Sequence, residues 1–594
     1  AVITGNGLAG EGAIVNTGAD HQSGFRSLTL NGPASVGGTG RWDVRPLTAG
    51  TGAINLNGNT LTKLGTNLIA FVEGSMTTDG SIDINSGILS LTRMTTGGAG
   101  SLNANNGATL RFENNTTGAY NYAKAISIND ATAHLTGSDV TINAPITLTG
   151  TGTFSIAFTR TFVAAQPVDG SGSLNFISAG TGAVGVLVLQ DDNTYNGATT
   201  VDTGTLRIGN RTATGSINTL PVTLANNGNL QISRSDNTCV FPNTIEGAGN
   251  VLIGTGVALN AAITEPEYDS LVTLTGTNTF TGNVFVYSGG LRILDAAALG
   301  TGAKTVNVGA YSSAGTNGRP QFYLDGSGGN IIVPATVGFR TSSTLMTHPA
   351  IGNLAGDNVI EGTITLDAGG GSTAVKVIGG SLTLNGAVAA NASGRYLILG
   401  SSTAGTPGTI NGVIGDGTSA LGLTMEGPNT WTLTAPNTYT GTTTVTGGTL
   451  EVNGNQGLAT GAVAVTGGTL GGTGTVGGNI TVEAAGTLAP GLSVGTFTAV
   501  NSVTLNGHLA IEIDGANADK VVVGSTLNIT NATLDLTEIT PISGEPVVIA
   551  TYGALAGTRF AAVNGLPAGY ALDYNHYSLN QIALVVSTAT ANLA

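Results

Sequence analysis

Along much of this chain, apolar and polar residues alternate in short runs that end at glycine or Asn-Gly. Val445-Thr446-Gly447-Gly448-Thr449-Leu450 returns verbatim as Val465-Thr466-Gly467-Gly468-Thr469-Leu470, and a related Gly486-Thr487-Leu488 follows. A second phrase, Ser-Leu-Thr-Leu-Asn-Gly, stands at Ser27–Gly32 and again at Ser381–Gly386, and Ser502–Gly507 is nearly the same. Apolar residues two apart share one face of a strand, and Asn-Gly is a turn signal. The pattern therefore predicts short strands with apolar residues facing inward and Thr, Asn and Ser facing out.

Recurrence at about 20 residues points to an all-β fold: an elongated parallel β-helix, or solenoid, of roughly 20-residue coils. One such coil cannot bury its apolar face alone, whereas stacked coils share a continuous core. The 594 residues would then make roughly 30 coils at this period. An array of immunoglobulin-like sandwiches also has short strands and frequent turns, but the verbatim repeat is shorter than a sandwich module. No Pro-rich linker or charge block marks a domain boundary. The expectation is a continuous β-helix over residues 1–500, followed by a β-rich region over 501–594 that acts as a cap or a polymerisation segment.

Composition narrows the class. Glycine supplies 94 of 594 residues and charged residues only 9%, against roughly 25% in ordinary proteins. Glycine does not recur every third residue, so collagen is excluded. No apolar run reaches the roughly 18 residues of a membrane-spanning helix. The net charge is −15, from 19 Lys and Arg against 34 Asp and Glu. With no basic stripe, nucleic acid is not expected as a partner. The single cysteine, Cys239, cannot form an internal disulfide. Numbering begins at Ala1 without a charged and apolar leader, which reads as a secreted chain whose signal peptide has been removed.

Three segments align without gaps. They are Asn193-Thr-Tyr195-Asn-Gly197-Ala-Thr-Thr-Val201-Asp-Thr-Gly204-Thr-Leu206-Arg-Ile208, Asn278-Thr-Phe280-Thr-Gly282-Asn-Val-Phe-Val286-Tyr-Ser-Gly289-Gly-Leu291-Arg-Ile293, and Asn437-Thr-Tyr439-Thr-Gly441-Thr-Thr-Thr-Val445-Thr-Gly-Gly448-Thr-Leu450-Glu-Val452. The shared pattern resembles the autotransporter-associated β-strand repeat of large secreted bacterial surface proteins. The segment Gly486-Thr-Leu-Ala-Pro490-Gly491 looks like the closing part of such passengers. The tail around Thr551-Tyr552-Gly553, Asn564–Tyr570, Asp573-Tyr574 and Asn580–Leu584 is similar to the ends of repeat proteins carrying the PEP-type C-terminal sorting signal. The resemblance implies a secreted β-helix at, or released from, the cell surface. A translocator barrel or a Pro-Glu-Pro tail, which it would place at the C-terminus, does not follow within the sequence; either it was cut away or export differs.

The motif also has a direct physical reading. Leu206 and Ile208, Leu291 and Ile293, and Leu450 and Val452 are pairs two apart that should face the core. Gly197, Gly282 and Gly441 sit where the chain turns sharply. Asn193, Asn278 and Asn437 can bind backbone groups at strand entry. Tyr195, Phe280 and Tyr439 are either structural plugs or carbohydrate platforms, and the missing hydroxyl of Phe280 favours the plug.

Candidate chemistry is sparse. His21, His134, His348, His508 and His576 are scattered. Cys239 lacks a nearby His, so it reads as buried and inert. Asp191-Asp192, Glu265/Glu267/Asp269 and Arg41-Trp42-Asp43-Val44-Arg45 are the densest charge groups. They read as a turn, a protruding loop with a conceivable calcium site, and an ordinary ion pair. No catalytic residue, cofactor or metal is expected. The strand-like termini remain. Val2 and Ile3 at one end, and Ile582, Leu584 and Val586 at the other, are candidate subunit contacts, because a free strand adds to an exposed sheet edge. Contact between two different surfaces makes an open filament unless it closes. The leading expectation is thus a non-enzymatic extracellular subunit assembling head to tail with itself into a fibre or surface layer. The alternative is a monomeric β-helical adhesin that binds glycans or other cells, and the minor ones are a polysaccharide lyase or hydrolase and a flat threonine array that binds ice.

Overall fold

The computed structural model describes residues 1–114, 121–180, 184–254, 271–309, 320–342, 349–369, 372–544 and 546–587. The chain is an all-β parallel β-solenoid of about 22 turns, with about 23 residues per coil. Among the described residues the only helical pieces are four short 3-10 turns: Leu8–Gly10, Ala296–Leu299, Gly326–Gly328 and His576–Ser578. Chain contacts divide it into two compact units. The first is built from Ala1–Thr255, Ala262–Phe285 and Ala297–Thr301; the second is built from Gly256–Ala261, Val286–Ala296 and Gly302–Ala594.

The coil around the verbatim repeat shows why this sequence folds so. Strands Thr443–Val445, Thr449–Val452 and Asn455–Gln456 form one turn. Each pairs in parallel with its counterpart in the next coil: Val445 opposite Val465, Leu450 opposite Leu470, Gln456 opposite Val476. The repeated side chains therefore stack directly above one another. Leu450, Leu470, Leu488, Leu509 and Leu534 form one buried column in the second unit. Burying each leucine contributes roughly 1.5–3 kcal/mol. Further along the same column Trp431 is also buried, and the position opposite it is Gly408, where a Cβ would lie 2.4 Å from the indole. The large ring and the missing side chain are complementary.

The coil length, about 23 residues, agrees with the roughly 20-residue expectation, while the number of turns is lower. The verbatim repeat belongs to the most regular coils. The coil that pairs Val465 with Val482 is shorter than that repeat, and the coil that pairs Leu399 with Met425 is longer. Strand register is held while corners differ in length, so the turn count falls from about 30 to about 22.

Parallel pairing also runs on past residue 500. Ile480–Val482 pairs with Val503–Leu505, and Thr533–Thr540 with Ala562–Asn564. Asn517–Ala518 folds back antiparallel on His508–Asp514, and the last strands of the second unit pair antiparallel as well. Gln581–Val586 pairs antiparallel with Val547–Ala556 on one side and with Tyr570–Asp573 on the other. Ile582 and Leu584 are fully buried there. This corrects their reading as free contact residues: the strand is already occupied along both edges by its own chain. Val586, near its end, is 48% exposed. The N-terminal end of the first unit differs. Among the described residues Val2–Gly5 pairs only with Leu28–Gly38, and Val2 is 71% exposed while Ile3 is half-buried.

Candidate functional site

The three aligned segments form the same clasp. The side-chain carbonyl of Asn193 accepts the Val168 N–H at 2.9 Å, that of Asn278 accepts Ile245 at 2.7 Å, and that of Asn437 accepts Ile414 at 2.7 Å. Each partner lies one coil earlier. The Asn193 amide also donates to the Ser216 carbonyl one coil later, at 2.8 Å, so one side chain ties three levels. Asn358, outside the motif, makes the same bond to the Ile331 N–H at 2.7 Å. Sequence reading missed it because no aromatic follows at the motif spacing.

The aromatic rings are buried: Tyr195 and Phe280 at 0% exposure and Tyr439 at 3%. Their faces are closed to a sugar. The Tyr439 hydroxyl lies 2.8 Å from Thr443, and burial pushes its pKa up to about 12. Two glycines per segment serve different needs. Gly204, Gly289 and Gly448 hold positive φ of 81°, 69° and 62°, which only glycine adopts freely. Gly197, Gly282 and Gly441 have ordinary φ, but a Cβ there would lie 2.4, 2.1 and 2.4 Å from the backbone of an earlier coil. Close approach between coils, more than a sharp turn, requires them. Val201, Val286, Val445, Leu206, Ile208, Leu291, Ile293, Leu450 and Val452 all face the core.

The other candidate groups are placed as follows. Asp192 accepts the Gly215 N–H and the Ser216 hydroxyl and so closes a turn. Cys239 is buried, and burial pushes its thiol up to about 11. His134 contacts Ser155 at 3.0 Å, His508 contacts Asp535 at 2.6 Å, and His576 contacts Asp573 at 3.0 Å. The carboxylate of Asp43 is buried between Arg41 at 2.9 Å and Arg45 at 3.0 Å. Glu265, Glu267, Asp269 and His348 lie outside the described residues. Among the described residues no group of three or more His, Cys, Asp or Glu is placed to hold a metal ion.

The structure adds two buried ammonium groups that sequence reasoning missed. Lys63 Nζ donates to the carbonyls of Leu64, Gly65 and Ser86 and to the Asn67 side chain at 2.7–3.1 Å. Lys124 Nζ lies 2.9–3.5 Å from the carbonyls of Thr78, Gly80, Gly98 and Ala99. Each cation gathers backbone oxygens from more than one coil. The only hint in the sequence was the scarcity of lysine.

With these clasps in view, residues 181–208, 272–293 and 423–452 match the family described as passenger-associated-transport-repeat. The chain carries the repeat of autotransporter passengers. Each passenger repeat thus supplies a cross-coil asparagine clasp, a buried aromatic plug and two glycines. The chain is also 30% identical over 296 residues to the adhesin BmaC autotransporter of Brucella suis biovar 1 (strain 1330), a stretch that is 44% of this chain and 8% of that protein. The chain therefore spans a small part of that relative's length. The passenger family implies a secreted or cell-surface location. No helix of the described residues is long and apolar enough to cross a membrane.

Proposed function

We propose that this passenger-type solenoid is a non-enzymatic scaffold of a surface adhesin, presented outside the cell to bind other cells or their glycans. The observation that carries this reading is the 30% identity over 296 residues to an adhesin autotransporter, on a chain whose repeats are spent on holding coils together. End-to-end fibre assembly has less support. It needs a strand-like surface free at each end, and Gln581–Val586 has both neighbours within its own chain.

The test is attachment of cultured epithelial cells to surfaces coated with the purified chain or with albumin. Attachment above the albumin level is expected. Equal attachment overturns the adhesin reading. Electron microscopy of the same sample should show separate particles; long unbranched fibres would restore the filament.

A further inference from the structure

Glu73 and Arg93 occupy equivalent corners of two consecutive coils in the first unit. The strands before them pair Val72 with Thr92, and those after them pair Ser75 with Thr95. Both residues hold left-handed backbone, with φ of 52° and 54°. Such positions normally fall to glycine, Asn or Asp, and are strained for long side chains. The two side chains form an ion pair through Arg93 Nη2 and Glu73 Oε1.

That pair is incomplete. Arg41 grips Asp43 with both Nε and Nη2, at 2.9 and 3.0 Å. Arg93 meets Glu73 through Nη2 alone, and its Nε is enclosed without an acceptor. The guanidinium is thus anchored to Glu73 at one point. Beside it lies an open cleft of about 510 Å³ lined by Gly50, Glu73, Gly74, Ser75, Arg93 and Thr95. That volume is within the roughly 300–1,000 Å³ range of small-ligand sites. The charge of this region is also distinctive. Residues 1–113 carry six Lys and Arg against seven Asp and Glu, leaving −14 of the total −15 to the remainder. Little net negative charge opposes an anion here.

We propose that the Glu73–Arg93 corner is a binding subsite for a carboxylated saccharide. The inference rests on the adhesin reading above and names its ligand class. A guanidinium takes a carboxylate in a planar, two-point grip that an ammonium cannot copy. Glu73 accepts from ring hydroxyls, and the Ser75 and Thr95 side chains supply hydroxyls of their own. A neutral sugar leaves the guanidinium without its anion, and an apolar ligand leaves every polar liner without a partner.

The test is calorimetric titration of the full chain with trigalacturonate and, as the neutral probe, maltotriose. Trigalacturonate should bind and maltotriose should bind at least tenfold more weakly. Arg93→Gln should weaken trigalacturonate by about tenfold or more, equivalent to ~1.4 kcal/mol, and Arg93→Lys should fall between the two. Arg559→Gln, remote in sequence, should bind as the unmodified chain does, and matching circular dichroism spectra should establish that each variant is folded. No binding of trigalacturonate, equal binding of maltotriose, or undiminished binding by Arg93→Gln would overturn the subsite. Cell attachment measured in parallel separates the two ideas. Attachment without trigalacturonate binding sinks the subsite alone; absence of attachment by the unmodified chain sinks the adhesin reading.

Discussion

The hydroxyls of Tyr195 and Thr199 meet at 2.7 Å inside the core, on one clasp. Tyr439 and Thr443 repeat the arrangement at 2.8 Å. In the remaining segment the same two positions are Phe280 and Val284, and both are buried. The hydroxyls are thus present together or absent together. Burying one polar group without its partner costs about 1–3 kcal/mol, whereas removing both is nearly neutral. Tyr195→Phe alone, or Thr199→Val alone, should therefore lower local stability by about 1–2 kcal/mol, and the double variant by less than the two together. Native-state hydrogen exchange over residues 195–208 measures it. Additive losses would show that the hydroxyls do not depend on each other.

Leu470 lies in the leucine column between Leu450 and Leu488. Leu470→Ala should cost about 2–5 kcal/mol through lost burial and a cavity. Because each coil touches chiefly its neighbours, amide protection should fall at Leu450 and Leu488 and stay unchanged at Leu110. Loss of protection at all three would mean that the solenoid unfolds as one cooperative block.

Lys63 is the only charge within its cage of four oxygens among the contacts described above. Lys63→Met keeps a similar length but leaves those oxygens without a donor. Unsatisfied buried acceptors cost about 1–3 kcal/mol each where water cannot replace the bond. The variant should melt at a lower temperature than the unmodified chain and should exchange faster at the amides of Leu64 and Asn85. An unchanged melting temperature would show that the cage does not stabilise the coil.

Asp519 is buried, and its carboxylate accepts the N–H groups of Gly495 at 2.8 Å and Glu512 at 2.9 Å. Burial is the larger influence and raises its pKa from 3.8 to about 6. An acid whose folded pKa is raised binds more protons folded than unfolded between those two values. Stability from this group is therefore greatest below pH 4 and is lost as pH rises towards 6. Hydrogen exchange around Gly495, corrected for intrinsic rates, should show local stability falling over that window. Asp519→Asn should abolish the trend, and an unaltered trend in the variant would assign it to another group.

Cys239, with its thiol pushed up to about 11, should be almost entirely protonated at pH 8. A disulfide reagent should label it slowly in the native chain and rapidly in guanidinium chloride. Rapid native labelling would mean that the strand Val240–Phe241 opens readily.

Much of the core is legible in the sequence. Leu206, Ile208, Leu291, Ile293, Leu450 and Val452 lie inside because a strand places residues two apart on one face whatever its neighbours are. The repeated asparagine, aromatic ring and two glycines mark one clasp used three times, and their spacing along the chain identifies the passenger repeat. The ligand of Asn193, the Val168 N–H, was not legible. It belongs to the preceding coil, with no local signal to select it.

The same division runs through the whole protein. Strand, facing and repeat class follow from the chain's local pattern, since alternation and turn chemistry act within a few residues. Tertiary structure alone decided what depends on register between coils of unequal length, such as the short one from Val465 to Val482 and the long one from Leu399 to Met425. It stacked Glu73 against Arg93, gathered carbonyls around Lys63 and Lys124, set Trp431 over Gly408, and folded Gln581–Val586 back between two strands of its own chain. Corner lengths vary while strand pairing does not, so the partners in those contacts follow from the summed lengths of intervening corners. No short stretch of residues carries that sum.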